Sequence, residues 1–491
     1  MMAVEAAGSL SALLDDAIAR HAAAGHVALV GEFGEITYAE LGRLIAAHAR
    51  AAREWGIQRG ELVGIVASRS PASVALFFGL MRAGACPCFI EPRLAPETVL
   101  LRMRAVGMTR LAVDRDNEAI AAPVRAGGMD VRLLTPVEGE DLPGAELSAS
   151  DLAMMQFTSG STGLPKGVLL THGNLLANAR GVIAHTVLTP ADRLLHVMPL
   201  YHTNAVNNQL VVPFIAGASV ALVERFRAEE VEGQLARYRP TYMTGVPTMY
   251  SRILPHLSDP SKRASLRFLR CGSAPITVEL HRQIEEAFGV PLVVSYGLSE
   301  ATCTSTMNPP GARRIGTVGT VLDGQDVRLL KPGTTEEAGA GGEGEICIAG
   351  PCLMRGYVGA GAEQPIRDGW LRSGDLGRFD AEGYLAITGR IKDVIIRGGE
   401  NLSPQLIEAT LAQHPAIRAC CVVGAPHADL GEVPIAFVTL RAGQHAAEGE
   451  LKKVVGEKLS RSYIPDQIRF VDALPENSVG KVDRKALRQL V

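Results

Sequence analysis

Two spacings of apolar residues alternate along roughly the first 300 positions of the chain, one helical and one strand-like. Leu10, Leu13, Leu14, Ala17 and Ile18 fall on one helical face. Thr37 with Glu40 forms a capping box ahead of Leu41, Leu44, Ile45 and Ala49, and Gly56 ends that helix. A strand over 61–68, a helix over 71–84 and a strand over 86–90 follow. This is βαβ grammar and predicts a parallel sheet with helices on its faces. Strands at 193–200, 218–224, 241–246, 266–273 and 291–296 repeat the grammar, so two α/β lobes are expected. From about 311 to 390 helical spacing disappears and glycine becomes dense. Short strands at 325–330, 344–350 and 384–390 predict a small β unit there. The remaining residues read as a separate α+β module. Its first helix has Ser403 at the N-cap and Pro404 at N1, strands run over 419–425 and 434–440, and a second helix lies near 449–460. The expected boundary is near residue 392, leaving 1–391 as the large part and 392–491 as the small one.

Composition narrows the function classes. A chain of 491 residues holds roughly three or four folding units, and 47% hydrophobic against 21% charged residues excludes disorder. Lys+Arg 49 against Asp+Glu 52 gives a net charge of -3, which leaves no basic excess for nucleic acid. The longest apolar stretch, 211–223, contains Pro213 and Gly217 and is shorter than the ~20 residues of a membrane span. It is expected to be packed core with a strand. The N-terminus carries early acids and no basic region, so no secretory signal is expected. The eight cysteines, at 86, 88, 271, 303, 347, 352, 420 and 421, form no CxxC pair. They are expected to be structural thiols in a reducing cytoplasm rather than a zinc site.

The strongest chemical signal is the run TSGSTGLPKG at 158–167, after a strand-like segment at 152–157. Thr158, Ser159, Ser161 and Thr162 supply hydroxyls, Gly160, Gly163 and Gly167 supply flexible backbone, and Lys166 supplies a charge. Amides, hydroxyls and one cation in a tight loop suit a triphosphate. The loop is not a Walker A, because Pro165 precedes Lys166 and Gly167 follows it. P-loop kinase or ATPase chemistry is disfavoured on that ground. The GxGxxG match at 339–344 precedes a strand instead of opening a helix, so it is read as a turn.

Five motifs in order resemble those of the ANL adenylate-forming superfamily, and most closely its acyl-CoA synthetases. They are TSGSTGLPKG at 158–167, YGLSE at 296–300, SGDLG at 373–377, GRIKDVIIRGGENLSP at 389–404 and ENSVGK at 476–481. The resemblance covers essentially the whole chain. It implies an α/β fold with a large N-terminal domain of two lobes and a β-barrel-like unit, and a small mobile α+β C-terminal domain. It implies a carboxylic acid attacking MgATP to give acyl-AMP and pyrophosphate, after which coenzyme A displaces AMP.

The resemblance also assigns roles. The 158–163 loop and Lys166 hold the β- and γ-phosphates, with Ser299, where the family usually has Thr, as a further phosphate contact. Glu300 binds Mg²⁺, a hard cation that a carboxylate suits. Asp375 accepts the ribose diol with help from Arg390. Cys271, Gly272, Ser273, Ala274 and Pro275, with Tyr296 and Gly297, wall the adenine pocket. Lys481 is the charge-stabilising catalytic lysine, and Glu476 stands where a basic residue is common. Lys392 is the hinge, and Gly398, Gly399 and Glu400 approach coenzyme A after the turn.

The acyl pocket is expected among His202, Gly245, Cys271, Ser295 and Leu298, where small residues leave room for a medium chain or a ring. Malonate-activating relatives resemble one another in an Arg before the Tyr-Gly pair; here that position is Ser295, so the obvious counter-ion for a short dicarboxylate is missing. Asn204, Asn207 and Asn208 either contact a polar substituent or cap a helix, and capping is the expectation. The partner is a small carboxylic acid; a homo-oligomer stays open. A carrier protein loaded in trans is the alternative acceptor to coenzyme A.

Overall fold

Caps written in the sequence start the helices where the apolar spacing places them. Ser9 Oγ accepts from the Ala12 amide at the head of helix Leu10–Ala23. Reciprocal capping boxes open helix Tyr38–Glu54 (Thr37 with Glu40), helix Pro71–Arg82 (Ser70 with Ser73) and helix His172–Thr186 (Thr171 with Asn174). The computed structural model describes residues 8–133, 135–139, 143–159, 165–359, 364–476 and 482–491.

Two sheets form the expected lobes. In the larger, strands Leu292–Tyr296, Phe268–Cys271, Tyr242–Gly245, Arg193–His196, Ser219–Leu222 and Val27–Gly31 are adjacent and parallel, with short antiparallel strands added at both edges. In the smaller, Cys86–Phe89, Leu62–Val66, Arg110–Val113 and Asp130–Leu133 are all parallel. One continuous core joins them: Leu194 and Val220 of the larger sheet, Ile65 and Phe89 of the smaller, and Leu10, Tyr38, Leu41 and Phe77 from the helices. The buried Tyr38 hydroxyl is satisfied by the Ala218 carbonyl at 2.7 Å.

A three-stranded antiparallel sheet follows, made of Leu152–Ser159, Pro165–Thr171 and Gly356–Val358. Next comes an antiparallel unit of Asp326–Leu330, Gly344–Ala349, Trp370–Phe379, Ile366–Arg367 and Leu385–Arg390. The last sheet contains Ile395–Arg397, Glu400–Leu402, Ile417–His427, Gly431–Leu440 and Gln467–Phe470. It has its own core, with Ile407 and Leu411 of helix Pro404–Leu411 and Leu451 and Val455 of helix Glu448–Lys458 packed on it.

Some local expectations change. The 211–223 run holds a helical turn, Val212–Ala216, as well as the strand Ser219–Leu222; Gly217 at φ 76° makes the break. Strand Pro165–Thr171 has no signal of its own, because Pro165, Lys166 and Gly167 hide its short apolar stretch. Ser403 stands at the N-cap of helix Pro404–Leu411, but its hydroxyl donates to the Thr388 carbonyl at 2.7 Å instead of capping. Cys86, Cys88, Cys271, Cys347, Cys352 and Cys421 are buried thiols, and burial pushes the Cys88 thiol up to about 12. No helix of the described residues is long and apolar enough to cross a membrane.

Candidate active site

Gly245, Cys271 and Tyr296 end three adjacent parallel strands, and the segment after Arg193–His196 brings His202 from a fourth. Open parallel sheets bind ligands beyond these carboxyl ends. The backbone is crowded there. A Cβ at Gly297 would lie 2.1 Å from the Cys303 carbonyl oxygen, and one at Gly272 would lie 2.9 Å from Ser295 Oγ. Ser273 has φ 66°, so the chain turns sharply between Gly272 and the exposed Pro275. Ala274 lies within that turn, and Leu298 packs onto the core of the small β unit. The His202 ring lies 4.7 Å from that of Tyr201.

Two relays join the predicted nucleotide residues, one of hydrogen bonds and one of a hydrogen bond with a cation–ring contact. In the first, Tyr296 donates its hydroxyl to Asp375 Oδ2 at 2.8 Å, while Arg390 Nε donates to Asp375 Oδ1 at 2.7 Å. Asp375 and Arg390 also face each other across strands Trp370–Phe379 and Leu385–Arg390. Burial and the adjacent carboxylate push the Tyr296 phenol up, so it stays a donor. A carboxylate offers about four acceptor sites, so Asp375 keeps capacity for a diol.

In the second relay, Tyr357 donates to Glu300 Oε1 at 2.6 Å, and Lys166 Nζ stands 5.3 Å from the Tyr357 ring centroid. Burial and Glu300 push the Tyr357 phenol up. Glu300 retains acceptor capacity that fits a hard cation such as Mg²⁺. Lys166 and Thr158 are register partners in the hairpin of Leu152–Ser159 and Pro165–Thr171, so the 158–167 segment connects two antiparallel strands. Ser299 Oγ and Thr203 Oγ1 are 3.0 Å apart. Gly160, Ser161, Thr162 and Gly163, like the Ser159 side chain, lie outside the described residues.

The motif reading missed Tyr357 and Thr203. Tyr357 reaches the site only through the register of Gly356–Val358 on Pro165–Thr171, a long-range pairing with no local sequence signal. The asparagines need a correction. Asn204, Asn207 and Asn208 cap nothing, because they lie inside a π-helix, Asn204–Val211, whose Thr203 N-cap makes no side-chain bond. Its wider turn keeps all three amides inside the fold, where Asn204 accepts from Gln209 of the same helix at 3.1 Å and the other two bond to neighbouring segments. Asn207 donates to Asn178 Oδ1 at 2.9 Å and Asn208 to Thr304 Oγ1 at 3.1 Å.

The predicted residues of the C-terminal part are placed differently. Lys392 lies in the turn Ile391–Asp393, where its carbonyl accepts from Arg488 Nη2 at 3.2 Å. Gly398 and Gly399, at φ 58° and 88°, make the two-residue turn between Ile395–Arg397 and Glu400–Leu402. Among the described residues, no hydrogen bond or ion pair joins that turn to Asp375 or Glu300. Lys481 lies outside the described residues. Its flanks are fixed: Glu476 bridges to Val482, and Glu476 Oε2 pairs with Arg252 of helix Pro247–Ile253 at 2.6 Å.

With this geometry in view, comparison with known proteins is informative. Residues 15–358 match the model for AMP-binding enzymes, and 406–481 match that for the AMP-binding enzyme C-terminal domain. The chain is 35% identical over 459 residues to sulfoacetate–CoA ligase of Cupriavidus necator, covering 88% of each chain. It is 33% identical to feruloyl-CoA synthase of an Amycolatopsis species, covering 92% of this chain and 94% of that one. The crystal structure of ATP-bound MatB from Rhodopseudomonas palustris superposes with a TM-score of 0.89 at 29% identity, covering 97% and 98%.

Proposed function

The chain belongs to the AMP-binding enzyme family and is an acid–thiol ligase, and from that premise we propose which residues run its two half-reactions and which acids it takes. ATP-dependent ligation of an acid to coenzyme A first joins two anions. The catalyst therefore needs fixed charge and donors more than a base. Lys166 and the 158–163 loop hold the β- and γ-phosphates, with Ser299 beside them. Glu300, fixed by Tyr357, holds Mg²⁺, which adds positive charge at the phosphates when bound. Asp375 takes the ribose diol, oriented by Arg390 and Tyr296. Residues 271–275 and Gly297 wall the adenine. Lys481 stabilises charge as the acid oxygen attacks the α-phosphorus and pyrophosphate leaves.

The second half needs a different neighbour, the thiol of coenzyme A. Residues 392–491 act as the mobile domain and turn about Lys392, carrying Lys481 away and Gly398-Gly399-Glu400 inward. The thiol sulfur then attacks the acyl carbonyl and AMP leaves.

The acid is a medium-chain fatty or aromatic acid, held among His202, Gly245, Cys271, Ser295 and Leu298. The observation carrying the ATP-dependent reading is the pair of relays, Tyr296–Asp375–Arg390 and Lys166–Tyr357–Glu300, beyond the carboxyl ends of parallel strands. A panel of carboxylic acids with ATP tests it, read as labelled pyrophosphate exchange and as product mass with coenzyme A. Exchange with an acid and a mass of acyl-CoA support it. Exchange without acyl-CoA points to a carrier protein as acceptor. Failure to exchange with every acid overturns it.

A further inference from the structure

Beside Cys271 and Ser295, two residues expected to line the acyl pocket, lies a charge that the reaction scheme does not use. Of the three most deeply buried arginines among the described residues, Arg82 pairs with Asp15 at 2.9 Å and Arg263 with Glu232 at 3.3 Å. Arg270, only 3% exposed, forms no ion pair with a carboxylate among the described residues. Its guanidinium donates to two hydroxyls, Thr304 Oγ1 at 2.6 Å and Ser295 Oγ at 3.4 Å. An arginine does not shed its proton in a protein, so the charge stays. A buried charge without an opposite charge is costly, and proteins pair such groups with an anion.

The neighbours of Arg270 are residues expected to wall the site. Arg270 precedes Cys271 and Gly272, two of the expected pocket walls, and Ser295 precedes Tyr296. Ser295 Oγ touches both sides of this wall: it faces Arg270 and stands 2.9 Å from the point where a Cβ on Gly272 would be. Both Ser295 hydroxyl contacts are long, 3.4 Å from Arg270 Nε and 3.5 Å to the Cys271 carbonyl, so the hydroxyl turns at small cost. Thr244, the register partner of Arg270 on the adjacent strand, is 1% exposed, and its hydroxyl has no partner among the described residues. A guanidinium held only by neutral groups, a loosely held hydroxyl and an unsatisfied hydroxyl thus stand together with no carboxylate paired to the charge among the described residues.

We propose that Arg270 is the counter-charge for a second anionic group on the acid, a carboxylate or sulfonate remote from the reacting carboxyl, docked against Ser295 at the floor of the acyl pocket. The charge missing at position 295 is thus supplied from the strand beside it. This inference rests on the acid-activating reading above and narrows it to acids with a distal anion. Arg270 acts here as a specificity-determining residue that takes no part in bond making.

Matched acids test the proposal: heptanoate against heptanedioate, and benzoate against benzene-1,4-dicarboxylate and 4-sulfobenzoate. The readout is kcat/KM in pyrophosphate exchange. The unaltered enzyme is expected to prefer the dianionic member of a pair by about 10- to 100-fold, and Arg270→Met to erase that preference. The two aromatic dianions tell a carboxylate from a sulfonate. Preference for the neutral-ended acids in the unaltered enzyme overturns the proposal, whatever the fate of the variant. Equal losses on both members in Arg270→Met also overturn it, since a structural role alone would do that. If that variant does not fold, Ser295→Ala takes its place, with a reduced preference expected. Exchange with monoacids only defeats this proposal and leaves the ligase reading intact; no exchange with any acid defeats both.

Discussion

The large part of the chain and its C-terminal part carry their functional residues in opposite ways. In the large part, Tyr296, Asp375 and Arg390 are bonded to one another, as are Tyr357 and Glu300 beside Lys166. In the C-terminal part, the Gly398 amide donates to the Leu430 carbonyl of the same part, and the sheet has a core of its own. Ser403 to Thr388, Arg252 to Glu476 and the Val394 amide to the Arg390 carbonyl are among the links that tie it to the large part. On the proposed reading, the groups that hold ATP all stand in the large part, while the groups that change places between the half-reactions, Lys481 and Gly398-Gly399-Glu400, all belong to the C-terminal part.

The sharpest way to break this comparison is to remove a group that serves one half-reaction. Lys481→Ala is expected to slow pyrophosphate exchange by about 100- to 1000-fold, the range for losing one transition-state charge partner. Thioester formation from supplied acyl-AMP and coenzyme A should be spared. Equal loss of both half-reactions defeats the division of labour.

Locking the pivot comes next. Proline at Lys392 fixes φ near −65°, so Lys392→Pro should keep exchange within about twofold yet cut acyl-CoA formation by roughly 10-fold or more if the turn limits transfer. Unchanged overall turnover would place the pivot elsewhere.

The fixed half is tested by a smaller change. Tyr296→Phe removes one donor from the buried Asp375 and leaves Arg390 in place. Losing such a bond costs about 1–2 kcal/mol. The KM for ATP should therefore rise about 10-fold, with kcat of exchange little altered. A fall in kcat with KM unchanged would mean that the hydroxyl serves the chemistry rather than nucleotide positioning.

Much of this layout was legible from the residues alone, for a physical reason. Caps, helical spacing and glycine turns are local, so the capping boxes at Thr37 and Ser70 and the turn at Gly398-Gly399 are written within a few residues. Asp375 and Arg390 were legible because each sits in a short dense motif. Tyr357 was not: its bond to Glu300 spans 57 residues and depends on strand register. Arg270 lies in a run that reads correctly as a strand, yet its lack of a carboxylate partner is a property of the packed interior. The asparagines of 204–208 were misread because a π-helix keeps inside what ordinary helical spacing would put at an end.

The weakest expected effect concerns the contact between the two parts. Arg252 and Glu476 pair at 2.6 Å with side-chain exposures of 54% and 33%, so solvent screens them. Exposed pairs are worth about 0.2–1 kcal/mol, which allows no more than about a fivefold effect. The pair nevertheless sits where it matters, since Glu476 bridges to Val482 and the two close the segment that contains Lys481. Arg252→Glu replaces attraction with repulsion at that base. It should lower exchange about two- to fivefold, more at low salt than at high salt, because the Debye length shrinks to about 8 Å at physiological ionic strength. Thioester formation from supplied acyl-AMP should hold or rise, as the tail is released more readily. Combining Arg252→Glu with Glu476→Arg restores opposite charges and should recover exchange. If the double variant stays as slow as the single one, the ion pair is incidental, and the tail's seating comes from apolar packing alone.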